Sequence, residues 1–66
     1  MNDGDKSAID QFAKRGIAIA IDHNSKTGYF HGVITDKGVE VFRNKSGFAK
    51  EEDAAFNALY WAYKFC

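Results

Sequence analysis

The run Ile17-Ala18-Ile19-Ala20-Ile21-Asp22 constrains this chain more than any other feature, because its large β-branched residues recur at every second position. Side chains of a strand alternate between faces, so this period predicts a strand with one buried face and one face of small or polar residues. Two turns come after it at short range. Asn24-Ser25-Lys26-Thr27-Gly28 and Asp36-Lys37-Gly38 have turn composition, and they delimit a second strand, Tyr29 to Thr35, and a third, Val39 to Asn44. Connections this short join antiparallel neighbours, since parallel strands need long crossovers.

The hydrophobic pattern also predicts a register. Pairing Ile21 with Phe30 and Ile34 with Val39 gathers Ile17, Ile19, Ile21, Phe30, Ile34, Val39 and Val41 on one face, where a slip of one residue would disperse them. The other face then carries Ala18, Ala20, Asp22, Tyr29, His31, Val33, Glu40 and Phe42, with His31 opposite Phe42. A bulge at Gly38 would shift the third strand in this scheme.

Helical period flanks the strands on both sides. Over residues 5–15, Ile9, Phe12 and Ala13 share a face with Ala8 beside them, Asp5 or Ser7 supplies a cap, and Gly16 closes the helix in the left-handed conformation. From Ala49 to Phe65 no Gly or Pro interrupts, and Glu51, Glu52 and Asp53 suit the positive end of a helix dipole. Ala55, Ala58, Leu59, Ala62 and Cys66 define the inward face of this second helix, and Lys50, Asp53, Asn57 and Lys64 form a polar stripe opposite. Phe56, Tyr60, Trp61, Tyr63 and Phe65 remain. That is more aromatic surface than one apolar stripe needs, so part is expected on the first helix and part at the surface. The order is helix, three antiparallel strands, helix: an α+β fold, one domain over residues 1–66, with both helices on the single apolar face of the sheet.

At 66 residues a chain buries only about 60% of its unfolded surface, so stability is expected to be marginal. Cys66 is the one cysteine, which excludes an internal disulfide, and no run approaches a membrane span. The pentapeptide Met1-Asn2-Asp3-Gly4-Asp5 is acidic and lacks the plan of a secretory signal, so a cytoplasmic location is expected. Nine Lys and Arg balance nine Asp and Glu, which argues against binding polyanions by bulk attraction. The balance is uneven along the chain: residues 1–13 sum to −2, residues 14–50 to +4 and the remainder to −2.

Little in the sequence points to catalysis. His23, His31 and Cys66 are the only soft-metal candidates, and the two histidines fall on opposite sheet faces, so neither metal nor cofactor is expected. Ser7, Ser25 and Ser46 lie in cap or turn contexts, and no nucleophile elbow or glycine-rich phosphate loop occurs.

Ser46 followed by Ala54-Ala55-Phe56-Asn57-Ala58-Leu59 resembles the second helix of the double-stranded-RNA-binding domain, whose order of elements is the same. The resemblance implies that scaffold. It also implies phosphate contacts from lysines at positions that carry Gly47, Phe48 and Glu51 here, followed by Glu52 and Asp53, which would repel phosphate. The stretch from Val39 through Gly47-Phe48 into Glu51-Glu52-Asp53-Ala54 is similar in style to small phage-encoded inhibitors of the anti-CRISPR and anti-restriction type.

The expected activity is therefore binding by a small non-catalytic module. The open sheet face leads, with Tyr29, His31 and Phe42 as contact residues and Arg43 and Lys45 at the rim. Aromatics so placed either pair across strands, anchor a protein or stack on bases. Contact with a host protein or complex is the first expectation, with a phage or mobile-element inhibitor as its concrete form, and a nucleic-acid-binding module is the alternative. Tyr60 and Trp61 mark a second surface for a partner or a second copy.

Overall fold

In a computed structural model, which describes residues 3–66, the chain runs α1 (Asp3–Lys14), β1 (Ile17–His23), β2 (Phe30–Asp36), β3 (Val39–Arg43) and α2 (Glu51–Phe65). Of the acidic amino-terminal pentapeptide, Met1 and Asn2 lie outside the described residues. Asp3 and Asp5 stand in the first turn of α1 and Lys14 in its last, in accord with the helix dipole. The N–H groups of Arg15 and Gly16 donate to the carbonyls of Phe12 and Ala13 at 2.9 and 3.0 Å. Gly16 has φ +86°, the left-handed cap that its position implies.

Helix α2 starts at Glu51 rather than Ala49 because the preceding backbone is held extended. Phe48 and Phe30 exchange both backbone hydrogen bonds, at 2.8 and 2.9 Å, and Lys50 caps the helix with φ −118° and ψ 137°.

The sheet is antiparallel in the order β1-β2-β3. Its register differs from expectation: Ile21 lies opposite Gly32 rather than Phe30, and Phe30 opposite His23. Turn closure decides this. Asn24 N–H donates to Tyr29 O at 2.9 Å and Gly28 N–H to Asn24 O at 2.7 Å, so pairing runs two residues further toward the loop. A shift of two keeps every side chain on its face.

The second hairpin closes on Lys37 and Gly38, with φ of +52° and +87°, the twist-matched two-residue turn. Asp36 therefore meets Val39, not Ile34. The bulge falls inside β3, not at Gly38: Thr35 pairs with Glu40 but Ile34 with Phe42, leaving Val41 over. This one-residue insertion reverses the facing of Phe42 and Arg43. Phe42 turns to the helix side, and the expected pairing of Phe42 with His31 is absent. Val39 and Val41, expected in the core, are 65% and 44% exposed, since α2 packs chiefly over β2 and β1, reaches β3 at Phe42 through Trp61, and leaves the bulged Val41 and the strand start uncovered.

Both helices cover one sheet face. Phe12 of α1, Ile17 and Ile34 of the sheet, and Ala58, Leu59 and Ala62 of α2 form the buried cluster. Four alanines on the inner side of α2, at positions 54, 55, 58 and 62, let the helix approach the sheet closely. Gly32 is where they meet: a Cβ there would lie 2.5 Å from Ala54 O and 2.7 Å from Ala58 Cβ. Cys66, expected on the inward face, is exposed beyond the last helical turn.

Candidate protein-contact surface

The face of the sheet away from the helices carries Ala20, Asp22, His31, Val33, Glu40 and Arg43. Arg43 belongs to β3 and Asp22 to β1, so about 10 Å of sheet separates their backbones. Arg43 spans that gap: Nη1 donates to Asp22 Oδ2 at 2.7 Å and Nη2 to Glu40 Oε1 at 2.9 Å. Its side chain therefore lies across β2, above Val33, which is only 9% exposed on a face no helix covers. Hydrogen bonds donated to Glu40 first, then to Asp22, push the guanidinium pKa further up. Both ion pairs are solvent-exposed, so they fix an orientation more than they add stability.

His31 stands next to this clamp. Its Nδ1 is 3.0 Å from the Asn44 carbonyl oxygen, which can only accept, so Nδ1 is the donor in this contact and Nε2 is not engaged by it. Asn44 is the buried polar residue that composition and period do not single out. Its backbone N–H donates to Gly32 O at 3.0 Å and its Nδ2 to Ala54 O at 3.2 Å, tying the end of β3 to β2 and the start of α2. Oδ1 of the same side chain is buried without a partner. The only sequence signal for Asn44 is a polar residue between a strand and a Lys-Ser-Gly turn.

Beyond Asn44 the surface dips into an open depression that Asp22, His23, Lys26, His31, Arg43 and Lys45 help to line. Tyr29, 49% exposed, stands outside it against Gly47, whose missing side chain leaves room for the Tyr29 Cβ. Thus His31, Arg43 and Lys45 come together and Tyr29 flanks them. Phe42 does not join them. It stacks on Trp61 at 4.8 Å on the opposite side of the sheet, and the bulge at Val41 is the cause. Of the second pair, Trp61 is half-buried by the same stack, whereas Tyr60 is 70% exposed.

His23 lies on the helix side of the sheet, stacked on Phe30 at 4.4 Å. Among the described residues no three His, Cys, Asp or Glu side chains converge as a metal site. Comparison of the chain with protein-family models, curated proteins and solved structures returned no match. No helix among the described residues is long and apolar enough to cross a membrane.

Proposed function

We propose that this chain is a small binding module that acts by contact with a protein, through His31, Arg43 and Lys45 with Tyr29 at the edge. The arrangement of Arg43 carries this reading. A guanidinium already held by two carboxylates presents a planar, oriented group at a surface, which suits recognition of a complementary protein face. The same clamp tells against phosphate. Arg43 is neutralised by Asp22 and Glu40, and the start of α2, where a double-stranded-RNA-binding domain would grip its ligand, carries Glu51, Glu52 and Asp53. The similarity in style to small phage-encoded inhibitors makes a host defence complex the partner class to test first.

Two measurements separate the readings. Titration with single- and double-stranded DNA and RNA at low and moderate salt should give no salt-sensitive binding. A salt-dependent affinity would favour the nucleic-acid module instead. Capture of a protein complex should be lost in a Tyr29→Ala, Lys45→Glu variant, whose two changed side chains are exposed and leave the core intact.

A further inference from the structure

Helix α2 presents to solvent, on the side away from the sheet, a seam of Asp53, Phe56, Tyr60 and Tyr63, spaced three, four and three residues apart. That spacing places all four on one stripe and is the period of helices that pack lengthwise against another helix. The three aromatics are 37%, 70% and 58% exposed. Tyr63 is steadied by an edge contact with Phe12 at 5.8 Å, and Tyr60 and Phe56 border a shallow hollow with Phe48, Asp53 and Asn57, which can receive a ring.

Charge selects the occupant. Asp53 heads the stripe before the aromatic rings and Lys64 follows them, both toward the same edge of the seam. The midpoint between Asp53 and Lys64 falls within half a residue of the midpoint between Phe56 and Tyr60. An antiparallel copy of this helix, turned about that point, therefore sets Phe56 against Tyr60 and Tyr60 against Phe56. It sets Asp53 beside Lys64 at both ends in the same register. A parallel two-fold copy would put the two charged flanks on opposite sides of the seam and form neither pair. We infer that α2 is a self-complementary surface on which a second copy of this chain docks antiparallel, forming a two-fold symmetric dimer. The inference is independent of the contact proposed for the sheet, which lies on the other side of the molecule.

Sedimentation equilibrium under reducing conditions, from about 10 µM to 1 mM, is the test, a range suited to a contact smaller than standard interfaces. Mass should rise reversibly from 7.4 kDa toward twice that value. Asp53→Lys and Lys64→Asp should each weaken association at least tenfold, the double swap should recover it, and Tyr60→Asp should abolish it. Circular dichroism checks that each variant is folded. A monomer across the whole range overturns the inference, as does a dimer indifferent to both charge reversals. The antiparallel pair holds the two Cys66 residues about 24 Å apart, so rapid oxidative crosslinking through Cys66 would also overturn it.

Discussion

At the scale of single residues, Gly32 and Asn44 matter more than their chemistry announces. Gly32 carries no positive φ and sits mid-strand; it is required because α2 lies too close for any side chain, with Ala54 O 2.5 Å from where a Cβ would be. Gly32→Ala is expected to destabilise the fold by about 1–3 kcal/mol, the usual cost of overpacking, and urea denaturation would measure it. Such a contact is invisible in a sequence, where Gly32 reads as a neutral member of an alternating strand. Asn44 is illegible for a related reason: only the assembled β2, β3 and α2 supply its partners. The exposure of Arg43 and Lys45 is legible, since charged groups at a strand end favour solvent, but the face on which Arg43 lies is set by the bulge at Val41. The partners of Arg43 are not legible.

At the scale of elements, alternation and turn composition suffice for three strands, and helical period suffices for two helices, their ends within two residues. Facing survives in β1 and β2 because the expected and observed registers differ by an even number of residues. It fails in β3 because Val39-Glu40-Val41 alternates as a regular strand would, while the bulge at Val41 inverts the end that follows. The consequence is measurable. Trp61 stacks on Phe42 over the sheet, so Trp61→Ala should cost about 3 kcal/mol or more, as for a large core residue, instead of the roughly half kcal/mol typical of a surface change. The hairpin at Lys37 offers the opposite sign. Lys37 holds φ +52°, which asparagine tolerates better than lysine. Lys37→Asn is expected to stabilise by about 0.5 kcal/mol, raising the thermal midpoint by about 2–4 °C.

At the scale of the whole molecule, the chain is one sheet with one helical layer, 17 Å across its short axis and 33 × 27 Å across the others. Among the described residues only Ile34 and Leu59 are large and fully buried side chains, and four of the nine buried hydrophobic residues are alanines of α2. A core this thin leaves aromatic rings over. Phe42 and Trp61 fill one flank, while Phe56, Tyr60 and Tyr63 line the outer side of α2. Self-association of that outer side would make stability depend on protein concentration. The thermal midpoint is then expected to rise with concentration in the native chain and to stay level in Tyr60→Asp.

The two proposals fall on separate faces: protein contact is proposed for the polar end of the sheet and self-contact for α2. Quantitative capture from a cell lysate, comparing the native chain with Tyr29→Ala, Lys45→Glu and with Tyr60→Asp, tests the proposed functional role most directly. A specific protein complex held by the native chain and by Tyr60→Asp, and lost from the Tyr29→Ala, Lys45→Glu variant, is the expected result. Undiminished capture by the Tyr29→Ala, Lys45→Glu variant would contradict the assignment of the sheet end as the contact surface.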